Sequence, residues 1–122
     1  GDGRSPLHYA AFHGHKGLSR LLIDKGAEVS ATDNYGAMAI HFAAIVDRKA
    51  VVSLLLSNGQ YVSAKDHEGR SPLHYSAFHG RTEMVGLLID KGADVLSKSN
   101  TRQTPEDVAT MGSHPQIAAM LK

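Results

Sequence analysis

The segment GRSPLHYAAFHG at residues 3–14 returns as GRSPLHYSAFHG at residues 69–80, an offset of 66 with a single substitution. Half of that offset also aligns the chain with itself, because His8 then falls on His41 and on His74. A fixed period of 33 residues is typical of stacked repeat proteins, in which each repeat is one supersecondary unit. The sequence therefore predicts an array of units that pack on one another.

The period divides the 122 residues into four units within one domain. The first unit spans residues 1–32, the second 33–65, the third 66–98 and the fourth 99–122. The fourth matches less closely, but Thr104 and Pro105 still fall on Ser71 and Pro72. The total length is typical of a single domain. We also expect the chain to be an excerpt of a larger protein, with more repeats or another domain upstream.

The third unit shows the local signals most clearly. Ser71 followed by Pro72 predicts a helix start, because the hydroxyl caps a free backbone N–H and proline suits the first helical position. Gly80 closes that helix by adopting the left-handed conformation. A second helix with a broad apolar face is predicted at residues 82–91, and Gly92 closes it. Helices this short need neighbours to bury their apolar faces.

These features resemble the ankyrin-repeat family. The matching features are the Ser-Pro-Leu-His start at residues 5–8, the Ala pair at 10–11, the Gly-His turn at 14–15, the Leu pair at 21–22 and the Gly-Ala-Glu loop at 26–28. The resemblance covers essentially the whole chain. It implies an all-α solenoid of stacked helix-turn-helix units joined by finger-like β-turn loops. Turn signals at residues 33–36 and 66–69 fit the loop tips.

The second and fourth units depart from the pattern. Met38 stands where serine caps the other helices, at an expected cost of about 1 kcal/mol, and Asp47 replaces a glycine. Tyr61 stands where its neighbours carry acids, so the second unit is either tolerated drift or a unit reshaped for a ligand. The fourth unit carries Glu106 and Asp107, which we expect to face solvent as part of a C-terminal capping unit.

Composition excludes several classes of protein. The formal net charge is +1 with both signs interspersed, so the chain lacks the positive field that phosphate backbones require, and we expect no nucleic-acid partner. No cysteine is present, and no apolar run approaches the roughly 20 residues that span a bilayer, so we expect no membrane insertion. We expect a monomer in the cytoplasm or nucleus.

The eight histidines raise the question of a metal site. His8, His41 and His74 each start a helix, and packed helices lie about 8–10 Å apart, too far for three imidazoles to share one ion. The family resemblance implies that they instead tie one unit's backbone to the next. No nucleophile-elbow, P-loop or dinucleotide motif occurs, so we predict no cofactor and no enzymatic activity.

The remaining candidate site is a surface. The resemblance implies that loop tips and the exposed side of each first helix form a concave face that binds a partner protein or peptide. By matched position the partner-binding residues are Arg4, Phe12, His13, Asn34, Tyr35, Ile45, Val46, His67, Glu68, Arg70, Phe78, His79 and Met111. Four of them, Phe12, Ile45, Phe78 and Met111, form an apolar column spaced by 33 residues. The column is either a contact stripe or partly buried packing between helices.

A parallel column of Tyr9, Phe42 and Tyr75 is expected to pack between helices. The leading hypothesis for function is a non-enzymatic protein-interaction module. The alternative is a ligand- or nucleotide-sensing regulatory domain of a larger channel or enzyme, in which Arg4, Arg70 and Lys65 near Tyr35 hold a phosphate and stack a base. A passive spacer is a third possibility.

Overall fold

The computed structural model describes all 122 residues as eight short α-helices joined by turns and loops, with no β-strand. The helices are α1 (Pro6–Phe12), α2 (Lys16–Asp24), α3 (Ala39–Ile45), α4 (Lys49–Ser57), α5 (Pro72–Phe78), α6 (Thr82–Asp90), α7 (Pro105–Met111) and α8 (Pro115–Met120). Each predicted unit contains one such pair. The all-α stack of helix-turn-helix units is therefore confirmed.

The first helices of the first and third units begin with the same hydrogen-bonding pattern. The Ser71 hydroxyl accepts from the backbone N–H of His74, and the Nδ1 atom of His74 accepts from the Ser71 backbone N–H at 3.1 Å. In the second unit Met38 provides no side-chain oxygen. Helix α3 nevertheless has the same length as α1 and α5, seven residues. His41 Nδ1 still accepts from the Met38 backbone N–H at 3.0 Å. Half of the capping arrangement is therefore enough to keep this helix at full length.

The turn between the paired helices requires a left-handed residue. Gly14 and Gly80 occupy it with φ of 72° and 74°, as the sequence predicts. Asp47 adopts the same conformation in the second unit, with φ of 63°, and its buried Oδ1 atom has no hydrogen-bond partner. Because a left-handed backbone disfavours residues with a Cβ atom, Asp47 is a strained position.

The units stack through their helices. Helix α3 packs against α1, α5 against α3 and α7 against α5, while α2 packs against α4. The side chains buried between successive units form one continuous core, which includes Leu7, Ile40, Val52, Leu55, Leu73, Met84, Leu88, Val108, Ile117 and Leu121. None of the eight helices has the length and apolar character needed to cross a membrane.

The two ends of the stack differ in polarity. At the first unit Leu18 and Leu21 are exposed, although Val51 and Leu54 at the matching places of the second unit are buried. At the fourth unit Leu121 is buried, and Glu106 takes the place that an apolar residue holds in the other units. The fourth unit thus presents a more polar outer surface than the first.

Candidate functional site

The three helix-start histidines tie successive units together. Each ring accepts a backbone N–H through Nδ1, which leaves the protonated Nε2 atom to donate to a carbonyl oxygen. The Nε2 donations go from His8 to Ala37 at 2.8 Å, from His41 to Ala64 at 2.9 Å and Arg70 at 3.1 Å, and from His74 to Gln103 at 2.9 Å. These are the structural bonds that the family resemblance implies. No cluster of three or more potential metal ligands is found in the structure.

Burial also changes the acid–base behaviour of two of these rings. It lowers the pKa of His41 and of His74 below the ordinary value of 6.5, although the carbonyls that accept from them favour the protonated form. Protonation would in addition place a hydrogen on the Nδ1 atom that accepts the backbone N–H. Both rings are therefore neutral structural groups at pH 7.

The fourth unit keeps half of this arrangement. Asp107 stands where the other units have the histidine, and its Oδ2 atom accepts from the Thr104 backbone N–H at 2.9 Å. The Thr104 hydroxyl accepts from the Asp107 N–H at 3.2 Å, which completes a capping box. A carboxylate carries no N–H, so Asp107 cannot make the donation to a carbonyl oxygen that the histidine Nε2 atoms make. Asp107 is exposed as predicted, but the sequence analysis missed its capping role.

A cavity of about 250 Å³ lies between the first helices of the first two units. It is lined by Arg4, His8, Tyr9, Phe12, His13 and Phe42. The rings of Phe12 and Phe42 meet edge to face with centroids 6.4 Å apart, and the Arg4 guanidinium lies 4.7 Å from the Phe42 centroid. The structure thus brings together three of the predicted site residues, Arg4, Phe12 and His13.

A second cavity, of about 280 Å³, lies between the third and fourth units. It is lined by Arg70, His74, Tyr75, Phe78, His79, Gln103, Val108 and Met111. Four of the predicted site residues are among them. The Arg70 guanidinium lies 6.0 Å from the centroid of Tyr75, as Arg4 lies over Phe42 in the first cavity.

The apolar column is exposed at three of its four positions. Phe12 is 39%, Phe78 41% and Met111 60% exposed, whereas Ile45 is only half-buried. Ile45 and its neighbour Val46 line neither of the two cavities. The predicted stripe is therefore interrupted at the second unit.

The second aromatic column behaves differently along the stack. Phe42 packs against His8 with ring centroids 5.7 Å apart, and Tyr75 against His41 at 5.9 Å. These contacts bear out the expected packing between helices. For Tyr9 the expectation is wrong, because the ring is exposed and its hydroxyl donates to Asp2 Oδ2 at 3.3 Å.

The loop tips are joined by one backbone hydrogen bond per step. The bonds run from Asn34 N–H to the Asp2 carbonyl at 2.9 Å, from His67 N–H to the Tyr35 carbonyl at 3.0 Å and from Asn100 N–H to the Glu68 carbonyl at 2.9 Å. The side-chain amide of Asn34 also donates to the Gly1 carbonyl at 2.9 Å, so this N–H group already has a partner within the chain. Tyr35, His67 and Glu68 are exposed at these tips.

Two aspartates shape the tips from beneath. Asp33 accepts the backbone N–H groups of Tyr35 at 2.8 Å and Ala37 at 2.9 Å, and Asp66 accepts in the same way from the next tip. Burial opposes the charged form of Asp33, but these donors outweigh it and lower its pKa below 3.8. The aspartates are therefore structural, and a self-capping aspartate is the signal typical of such turns.

The three cations of the nucleotide hypothesis are not brought together. Arg4 lies 3.3 Å from carboxylates of Asp2 and Asp33, and Arg70 lies 3.6 Å from Glu68. Lys65 donates to the Lys98 carbonyl at 3.1 Å. The three side chains line three different cavities, none of which includes Tyr35. No single phosphate site is formed by them.

A column of basic residues, missed in the sequence analysis, lies at the start of each second helix. Its members are His15, Arg48, Arg81 and His114, each separated by 33 residues. Arg48 Nε donates to the Phe12 carbonyl at 3.2 Å and Arg81 Nε to the Ile45 carbonyl at 3.0 Å. Each arginine thus caps the first helix of the preceding unit. The constant 33-residue spacing of basic side chains was the signal that could have revealed them.

The positive charge in this column is not balanced within the chain. Every ion pair in the structure involves Arg4, Lys49 or Arg70, so Arg48 and Arg81 have no carboxylate within 4.0 Å. Burial lowers the pKa of His79, and the nearby charges of Arg81 and His114 lower it further. Arg81 and His114 thus place positive charge beside His79, which lines the second cavity.

Two residues at which the second unit departs from the repeat pattern, Met38 and Tyr61, line another cavity. It measures about 650 Å³ and is lined in part by Met38, Gln60, Tyr61 and Leu96. Gln60 donates its side-chain amide to the Tyr61 carbonyl at 3.0 Å, while its buried Oε1 atom has no partner. The substitutions at positions 38 and 61 thus lie together in space.

Comparison with known families gives a consistent result. Residues 1–66 match the family model described as ankyrin repeats (3 copies), and residues 68–100 match the model described as ankyrin repeat. The two matches together extend over most of the chain and reach from the first unit into the fourth. No curated protein matches the sequence.

Proposed function

Because this chain belongs to the ankyrin-repeat family, whose repeats are generally protein–protein interaction modules, we propose that it binds a partner protein or peptide on its concave face. That face is formed by the loop tips and the exposed side of the first helices. The observation that carries the proposal is the exposure of Phe12, Phe78 and Met111 beside two cavities.

Exposed aromatic side chains next to arginines are the usual anchors of protein interfaces. Phe12 and Phe78 each project beside a guanidinium, and Tyr35 extends the same chemistry onto a loop tip. Phe12 and Phe78 lie on helices that are fixed by inter-unit hydrogen bonds. A surface held in this way loses little conformational entropy when a partner binds. The chain acts by binding alone, with no catalytic step.

The test is affinity capture from cell lysate with three forms of the chain. The first is the unaltered protein, and the second is the double variant Tyr35→Ala/Phe78→Ala. The third is a matched control, Tyr61→Ala/Leu96→Ala, which removes two exposed side chains that line a different cavity. Circular dichroism and thermal melting establish that all three are folded.

Proteins retained by the unaltered chain and by the control, but lost by Tyr35→Ala/Phe78→Ala, would support the proposed face. Equal capture by all three forms would contradict it. Loss of helical signal in the Tyr35→Ala/Phe78→Ala variant would show that these side chains support the fold rather than contact a partner.

A further inference from the structure

The two cavities on the first-helix surface share five lining residues, although Val108 stands in the second where Phe42 stands in the first. Five lining residues recur at an offset of 66: Arg4 and Arg70, His8 and His74, Tyr9 and Tyr75, Phe12 and Phe78, and His13 and His79. The 33-residue repeat does not by itself require this, because the unit between them has Ala37, Ile45 and Val46 at three of the five places. The binding chemistry thus repeats every two units.

Cavities that share five lining residues accept similar groups. In each cavity a phenylalanine forms one wall and an arginine lies near an aromatic ring, which is Phe42 of the next unit in the first cavity and Tyr75 of the same unit in the second. Neither lining contains an acidic side chain. A large apolar side chain, preferably aromatic, fits the wall. Arg4 and Arg70 already pair with Asp2, Asp33 and Glu68 of this chain, so the demand for a negative charge comes from other cations beside the cavities.

The distance between the cavities indicates the backbone conformation of the ligand. Packed helices lie about 8–10 Å apart, so two steps along the stack cover about 16–20 Å. An extended chain advances about 3.3 Å per residue and crosses this distance in about five or six residues. An α-helix, with about 1.5 Å per residue, would need about twice as many and would have to lie lengthwise on the surface.

The charged side chains beside the cavities indicate the sign of the charge on the ligand. Arg48 and Arg81 use Nε to cap the helices that carry Phe12 and Ile45, and no carboxylate of this chain lies within 4.0 Å of either guanidinium. His79 lies among the positive groups near the second cavity. The row of uncompensated cations favours a segment with negative charge.

We propose that the concave face binds one extended, acidic peptide segment of a partner that places two large apolar side chains, five or six residues apart, into the two equivalent cavities. The inference rests on the proposed function and adds the class of partner, its charge and its spacing. The middle of the segment crosses the half-buried Ile45 and Val46, which line neither cavity.

The experiment uses a displayed library of random 16-residue peptides. Peptides are selected on the unaltered chain and, in parallel, on the folded double variant Phe12→Ala/Phe78→Ala. We expect peptides enriched only on the unaltered chain to be acidic and to carry two aromatic or large aliphatic residues five or six positions apart. Enrichment of peptides with one anchor, with no preferred spacing or with net positive charge would overturn the proposal, as would no enrichment over the variant.

A second measurement uses the best selected peptide in a fluorescence anisotropy titration. Because the second anchor binds intramolecularly, Phe12→Ala and Phe78→Ala should each weaken binding by a similar factor, about 10-fold or more. Insertion of three glycines between the anchors should have a comparable effect, whereas the matched control Leu96→Ala should leave affinity unchanged. An insertion without effect, or a loss confined to one of the two phenylalanines, would overturn the two-cavity arrangement.

The outcomes separate this inference from the proposed function. If lysate capture depends on Tyr35 and Phe78 but no selected peptide needs both phenylalanines, the concave face binds partners in another way and only the present inference fails. If neither assay depends on the first-helix surface, both fail.

Discussion

The first and third units have almost the same sequence at residues 3–14 and 69–80, yet they lie in different surroundings. Both begin with a serine cap and end at a left-handed glycine, so their helices α1 and α5 have the same length. Their outer residues differ, because Leu18 is 47% exposed whereas Met84, at the matching place, is 0% exposed. In this structure Met84 belongs to the core between units, whereas Leu18 lies on an uncovered face of the first unit.

This difference separates local from neighbour-dependent properties. Helix starts and ends are set within a few residues, by a cap, a proline and a closing glycine. The same residues therefore give the same helix in both units. Burial depends on what packs against the helix. In a stacked repeat protein stability is approximately a sum of unit terms and interface terms, so the two units should respond differently to the same kind of substitution.

The largest difference in stability is expected between truncation of Met84 and truncation of Leu18, which occupy matching positions. Met84→Ala leaves a cavity in a closed interface and should lower the free energy of unfolding by about 2–5 kcal/mol. Leu18→Ala removes a half-exposed side chain and should cost less than about 1 kcal/mol. Urea denaturation of both variants, followed by circular dichroism, measures the contrast. Equal losses would show that the outer face of the first unit is covered in solution.

The next effect concerns His8 and His74, where the two units should agree. Both rings donate Nε2–H to the unit that follows, and each has such a unit. His8→Ala and His74→Ala should each lower the free energy of unfolding by about 1–3 kcal/mol, since each leaves buried backbone groups unpaired. The exposed His13→Ala is the control, with little expected change. A much smaller loss for His8 than for His74 would mean that the first unit is loosely attached to the second.

A smaller effect should bring the second unit closer to its neighbours. Asp47→Gly places glycine at the left-handed position that Gly14 and Gly80 occupy, and it removes a buried oxygen without a partner. We expect the free energy of unfolding to rise by about 0.5–1 kcal/mol. The substitution removes the steric cost of a Cβ atom in the left-handed conformation, but the greater conformational entropy of glycine in the unfolded chain offsets part of that gain. The reverse change, Gly80→Asp, should destabilise. A loss of stability in Asp47→Gly, measured by thermal melting, would contradict this account.

The smallest effect is a dependence on mildly acidic pH. Burial lowers the pKa of His41 and His74 in the folded chain below 6.5, so the unfolded chain binds protons more readily. The free energy of unfolding that depends on neutral His41 and His74 is therefore fully present above about pH 6.5. It is lost as the pH falls from there toward the lowered pKa values of the two rings in the folded chain. Denaturation in urea at pH 8 and at pH 5 should show the loss. In His74→Gln the difference should shrink, and an unchanged difference would assign it to other groups.

Much of the fold could be predicted because its signals are short in range and recur. The period predicted the stack, and the serines at positions 5 and 71 and the glycines at 14 and 80 marked the helix boundaries within a residue or so. The loss of the serine cap at Met38 did not shorten α3, because packing on both sides and the bond from His41 hold its start. Tertiary contacts here outweighed a local deficit of about 1 kcal/mol.

The candidate site could be predicted only in part. Matched positions identified the column of Phe12, Phe78 and Met111, but not the half-burial of Ile45 that interrupts it. The role of Asp107 as a cap and of Arg81 as a link to the preceding helix was missed. Both depend on where a side chain reaches in three dimensions, which the spacing of letters along a chain does not specify.

The sequence by itself determined the repeat, the four units, their helix starts and turns, and the residues that could face a partner. These follow from backbone preferences and from periodicity, which are properties of neighbouring residues. The tertiary structure alone decided which of the identical faces is covered, which cations have no acidic partner and which residues share a cavity. Those properties depend on the stacking of one unit on the next, which sets burial and distance.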